Sequence, residues 1–179
     1  MRKVIIIFGL LAGVIISVFS VFIMVLCENG TITFDNSDFV GYGSMVIALS
    51  MIFFGIKSYR DNYQRGVINF GKGLQVGMLI TLIATLMFAA TGEIYYQINP
   101  EAQDSLMDKY ADHHIRKIKE RGASPAEIDK KVKEMADLKV MHKNPLIRFG
   151  MTLAIILPVG VVITLFSATV LRRKELFQA

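Results

Sequence analysis

The chain has 179 residues, 53% of them hydrophobic and 20% charged, with a formal net charge of +5. The charges cluster and long stretches carry none, which is the pattern of a membrane protein rather than of a soluble core. The single cysteine, Cys27, excludes an intrachain disulfide and a cysteine-based zinc site, and a modest basic balance gives no reason to expect nucleic acid. Tryptophan is absent, so anchoring at a membrane interface falls to Tyr, Lys and Arg.

In chain order, Val4 to Cys27 is the first uncharged run. As a helix it spans about 36 Å, enough to cross a hydrocarbon core of about 30 Å with some tilt. Met1-Arg2-Lys3 resembles the charged start of a signal peptide. The run is too long for one, however, and no small-x-small cleavage site follows it. Leu26 is also too bulky to precede a lipoprotein cysteine. An uncleaved helix is therefore expected. Phe39 to Ile56, Leu74 to Gly92 and Phe149 to Leu171 form three further runs. Backbone amides in lipid must be satisfied internally, so each run is predicted to be a helix. Gly9 and Gly13, Ser44 and Ala48, Gly73 and Gly77, and Gly160, Thr164 and Ala168 fall at small-xxx-small spacing. That spacing predicts close helix contacts, within the chain or between copies. Pro158 is expected to kink the fourth helix.

Between the second and third runs lies GVINFGKG, Gly66 to Gly73. It nearly matches the phosphate-binding pattern G-x-x-x-x-G-K-[ST], but the hydroxyl is missing and the element before it is a membrane helix rather than a strand. The stretch is read instead as a short connection turning back into the membrane, with Ile68 and Phe70 dipping into the interface. Arg60 and Asp61 stand at a helix end and are expected to pin helices two and three, or to meet lipid headgroups together with Lys57 and its neighbours.

The long segment from Pro100 to Arg148 mixes eleven basic with nine acidic residues. Asn99-Pro100 predicts a capped helix start. Met107, Ala111, His114, Ile115 and Ile118 recur at helical spacing, and Gly122 is placed to end the helix in a left-handed conformation. Ser124-Pro125-Ala126-Glu127 has the form of a capping box. Ile128, Val132 and Met135 then continue an apolar face, with Asp129 and Lys133 placed to pair on the other. Asn144-Pro145 opens the fourth membrane helix. The expectation is a helical hairpin outside the membrane. Asp108, Asp112, His113, His114 and His142 raise the question of metal, but adjacent histidines diverge on a helix and a solvated face is the better reading. No metal and no cofactor are expected. Glu93 sits at the end of the third run beside Tyr95 and Tyr96, and is read as an interfacial residue within an aromatic belt.

The wider stretch GIKSYRDNYQRGVINFGKGLQVG carries Gly55, Ile56, Lys57, Tyr59, Arg60, Asp61, Gly66, Ile68, Phe70 and Gly77 in a distinctive order. With Lys143-Asn144-Pro145 before the last helix and Pro158-Val159-Gly160 inside it, the chain resembles bacterial membrane proteins of the family called domain of unknown function 4199. The resemblance covers nearly the whole chain and implies four membrane helices. It supplies no activity. Gly73 departs from the alanine frequent in that family, and Ile155, Ile156 and Leu157 stand where an acid often precedes the proline.

The sequence thus predicts an all-α membrane protein of four transmembrane helices. Residues 1–99 hold helices one to three, 100–145 the extracytoplasmic hairpin, and 146–179 helix four with a basic tail. Short segments beside the helices carry nine basic residues against two acidic on the side of both termini, including Arg2, Lys3, Arg65, Lys72, Arg172, Arg173 and Lys174 against Asp61 and Glu175. The opposite side begins with Glu28, Asp35 and Asp38. Both termini are therefore expected in the cytoplasm, in a bacterial inner membrane. No catalytic constellation is visible. The expected function is a non-enzymatic scaffold or accessory subunit, with membrane lipids around it and a protein partner or a second copy bound to it. A small oligomeric transporter or channel is the alternative.

Overall fold

The computed structural model describes residues 1–28 and 34–173, with the side chains of residues 28, 34–40, 42 and 102 outside that description. Glu28, Asp35, Asp38, Lys174 and Glu175, which entered the charge comparison, therefore lie outside the described side chains. The fold is all α: α1 Arg2–Glu28, α2 Phe34–Tyr63, α3 Phe70–Ile98, α4 Pro100–Glu120, α5 Pro125–His142 and α6 Pro145–Leu171. Among the described residues, α1, α3 and α6 are long and apolar enough to cross a membrane. The second apolar run lies within α2, and part of it has side chains outside the description.

Helix α3 is the hub, packed against α1, α2 and α6. Glycine sets how closely its neighbours approach. Along α1, Gly9 faces Ile83 and Gly13 faces Met87, so the two helices advance together and run parallel. Along α6 the register runs the other way: Gly73 faces Ala168, Gly77 faces Thr164, and Thr81 faces Gly160. A Cβ on Gly77 would stand 2.5 Å from Thr164 Cγ2, so the α3–α6 seam has no room for a larger residue there. Where the seam is tightest, Thr81 and Thr164 bring their hydroxyls to 3.3 Å, and Thr81 donates to the Gly77 carbonyl. Hydroxyls satisfied this way can be buried in an apolar bundle at little cost. The core around the seam is aliphatic, with Leu49, Ile52, Ile56, Val76 and Ile80 almost fully buried. Ser44 and Ala48 are buried in α2. Pro158 is exposed while Ile156 and Gly160 are buried, so its ring points away from the seam, and α6 continues through it to Leu171.

The outward faces are equally informative. Ile6, Leu10, Val14, Val18 and Phe22 of α1, with Ile155, Val162, Phe166 and Val170 of α6, are exposed and apolar. Exposed apolar faces this long mark contact with a membrane or a partner.

Helix ends follow local chemistry. Ser124 and Glu127 form a complete capping box at the start of α5. Gly122 adopts φ +77° and ends α4, with Gly122 N–H donating to Lys119 and Ala123 N–H to Ile118. Asn144 caps α6 by accepting from Leu146 N–H at 3.0 Å. Asn99 departs from expectation. Its side chain donates back to the Tyr95 carbonyl at 3.3 Å and makes no cap on α4, because the abrupt change from α3 to α4 leaves that carbonyl within closer reach. Helix α3 also begins earlier than the apolar run suggests. Asn69 accepts from Lys72 N–H, so Phe70 to Gly73 are already helical.

Candidate functional site

Two buried arginines stand at opposite ends of the bundle, and each organises a polar cluster. The first is Arg148, in the opening turns of α6. Asn144 and Pro145 start the helix there, and the side chain turns inward until the residue is 8% exposed. Its Nε donates to Glu93 Oε1 at 2.9 Å and its Nη2 to Glu93 Oε2 at 2.5 Å. Its Nη1 donates to Gln103 Oε1 at 2.9 Å and to the His142 carbonyl at 2.8 Å. The guanidinium carbon lies 5.3 Å from the Tyr96 ring centroid. Gln103 also donates to the His142 carbonyl, at 2.8 Å. One side chain therefore ties together α3, α4, the end of α5 and α6. The forked geometry explains why arginine serves here and lysine would not: the bidentate pair and two further acceptors need a planar donor set. Desolvating an ion pair is costly, and satisfying its remaining donors offsets that cost.

Glu93, expected at an interface beside aromatic residues, does sit near Tyr95 and Tyr96, but it is enclosed and paired. By position in the sequence Arg148 falls among the charges of the long segment from Pro100 to Arg148. A signal was available. A cation in the first turns of a helix opposes the helix dipole, so an arginine there, followed by an apolar run, asks for a buried acid. Glu93 is such an acid at the end of an apolar run.

The second cluster surrounds Arg60. Helix α2 runs through GIKSYRDNY, and Arg60 Nε meets the carboxylate of its neighbour Asp61 at 2.7 Å. Its Nη1 lies 3.5 Å from the Leu171 carbonyl at the end of α6. The Arg60 carbonyl accepts from Gln64 N–H and Gly66 N–H, which closes the helix as Arg65 and Gly66 take left-handed φ of 51° and 83°. Ile68 is turned into the protein. It is 2% exposed, joins the core, and accepts from Arg173 N–H at 3.1 Å. The reason is that the end of α6 lies across this loop and covers it. Tyr59 is buried, with its hydroxyl accepting from Gln64 at 3.1 Å, while Phe70 is half-buried and Lys57 and Asp61 are exposed. The Arg60 hydrogen bond holds the Asp61 carboxyl below its usual range. GVINFGKG is thus the end of a turn followed by the first turn of α3.

The remaining candidates do not converge. Asp108 pairs with Lys139 at 2.5 Å, and Asp112 is exposed. The ring of His114 lies edge-on to Tyr110, and that of His142 contacts the Leu138 carbonyl. Among the described residues, no three metal-ligating side chains gather.

Among the described residues six helices, three of them of membrane-spanning length, with a buried arginine cluster at each of two ends, give the chain the build of a membrane helical bundle. It belongs to the family described as Protein of unknown function (DUF4199), whose model matches residues 7–173. No curated protein and no solved structure matches it.

Proposed function

We propose that the protein is a non-enzymatic subunit of the bacterial inner membrane. In this reading four helices, α1, α2, α3 and α6, span the bilayer, both termini are cytoplasmic, and α4 and α5 form an extracytoplasmic hairpin that presents a docking face. The observation that carries it is the Arg148 junction. A loosely tethered hairpin would lose entropy on binding, whereas one fixed to α3 and α6 by buried hydrogen bonds is preorganised. The face it presents includes Val132 and Val140, exposed and apolar among charged neighbours. Aliphatic anchors within a polar rim suit a protein partner. The basic residues at the opposite end, Lys57, Lys72 and Arg172, suit the anionic cytoplasmic leaflet.

The test is capture from the native membrane in gentle detergent, comparing the wild type with V132D/V140D. Proteins retained by the wild type should be lost from the variant, and identical sets would sink the docking reading. Topology is checked separately in a C27S background. A cysteine at Arg121 should react with a membrane-impermeant maleimide from outside the cell. Flux of ions or protons through reconstituted vesicles would instead favour the oligomeric transporter.

A further inference from the structure

We propose that the bundle holds one acyl chain of a membrane phospholipid in an apolar slot between α1 and α6, beneath α4 and α5. The slot consists of two openings that meet. The larger, of about 570 Å³, is lined by Met24 and Cys27 of α1, Met107 of α4, Leu138 of α5, and Met151 and Ala154 of α6. The smaller, of about 360 Å³, continues along α1 past Ile16 and Ser20 to Gly41 and Ser44 of α2. Ile23, Met24 and Ile155 line both.

Three observations identify the occupant. The first is length. From Ile16 to Cys27 the slot follows α1 for about 16 Å, close to the half-thickness of a hydrocarbon core of about 30 Å. It is one leaflet deep and follows a helix that is long and apolar enough to span the bilayer. The second is chemistry. The hydroxyls of Ser44 and Thr152 on the walls already donate to their own helix carbonyls, and the His142 ring contacts the Leu138 carbonyl. Ser20, Cys27, Tyr96 and Tyr110 are the other polar groups on walls that are otherwise mostly aliphatic and methionine, and an empty apolar opening forfeits dispersion contacts on those walls. Flexible methionines at positions 24, 107 and 151 suit a chain whose kinks vary. The third is access. Ala154 and Ile155 are exposed, so the slot opens sideways onto the apolar surface of α6. Among the described residues nothing lies within 4 Å of where a Cβ on Gly41 would sit, unlike the glycines of the α3 seams. The proposal is independent of partner docking at Val132 and Val140.

The experiment uses the full chain in phosphatidylethanolamine–phosphatidylglycerol vesicles. These are doped with a phospholipid that carries a diazirine midway along one acyl chain. After irradiation, adducts are mapped by peptide mass spectrometry. Adducts should concentrate at least fivefold on residues 16–27 and 151–155 relative to the equally lipid-facing residues 162–170. A154W and G41L should each cut the slot adducts at least threefold and leave those on 162–170 unchanged. Uniform labelling of all apolar faces would mean ordinary surrounding lipid and would overturn the proposal. Labelling by a diazirine fatty acid but not by the phospholipid would overturn the assigned source, and cross-links to a second copy would replace lipid with protein. Should one variant lose its helical circular dichroism, the wild-type adduct ratio and the other variant still decide.

Discussion

Arg60 and Arg148 are the same residue type, similarly buried, at opposite ends of one bundle, yet they are held in different ways. Arg60 takes its acid from the next position in the chain, and that acid, Asp61, is exposed. Arg148 takes Glu93 from 55 residues away, and both side chains are largely enclosed, at 9% and 17% exposure. The difference separates anchoring from assembly. A sequence-local pair forms as soon as its helix does and says little about tertiary structure. The distant pair forms only when α3, α4 and α6 have met, so it reports and stabilises the complete fold.

The largest expected effect tests that contrast. Glu93→Ala leaves a buried guanidinium without its acid and should cost about 3–5 kcal/mol in unfolding free energy. The double variant E93L/R148M should recover most of the loss, because an apolar pair needs no desolvation. Denaturation in mild detergent reads both. An E93A protein as stable as the wild type would break the comparison. Next comes the α3–α6 seam. Gly77→Val places methyl groups against Thr164 and should cost about 1–3 kcal/mol through overpacking, in a region that neither arginine touches.

A smaller effect concerns α5. Ser124→Ala removes a cap and should cost about 1 kcal/mol. Ser124 also gives the helix a pH response. Its backbone N–H and hydroxyl donate to Glu127 and hold that carboxyl below its ordinary value of 4.5. A depressed carboxyl contributes stability above its unfolded value, and the contribution is lost as pH falls through the folded value. Amide protection at the start of α5 should therefore weaken below about pH 4.5 in the wild type. In S124A the acid sensitivity of that turn should be reduced, as followed by hydrogen exchange. The smallest effect is Asp61→Asn. Water already screens this carboxylate, so the melting temperature should stay near that of the wild type in high salt. A loss as large as that of E93A would show that the two ends are held alike.

Some of this architecture was legible from residues within one turn of each other. The capping box at Ser124, the left-handed Gly122 and the Asn144 cap all depend on neighbours, and each formed as its local chemistry demands. The apolar runs likewise fell within helices, because their backbone polar groups have no other partner in an apolar setting. The small-residue spacing marked Gly9, Gly13, Gly73, Gly77 and Gly160 as contact points, but spacing alone does not name the residue opposite. Asn99 was misread because a local cap competed with a carbonyl of the preceding helix.

By itself, then, the sequence determined that the apolar runs form helices, where α4 ends and where α5 and α6 begin, and that charge belongs at the ends. Those properties follow from periodicity and capping, which act over three or four residues. The tertiary structure decided that α1 runs parallel and α6 antiparallel to α3, that Ile68 belongs to the core, and that the slot stays open between α1 and α6. It also decided that Arg148 closes on Glu93. Burial of a charge depends on which distant elements surround it, and a desolvated pair is stable only when all its donors find acceptors at once.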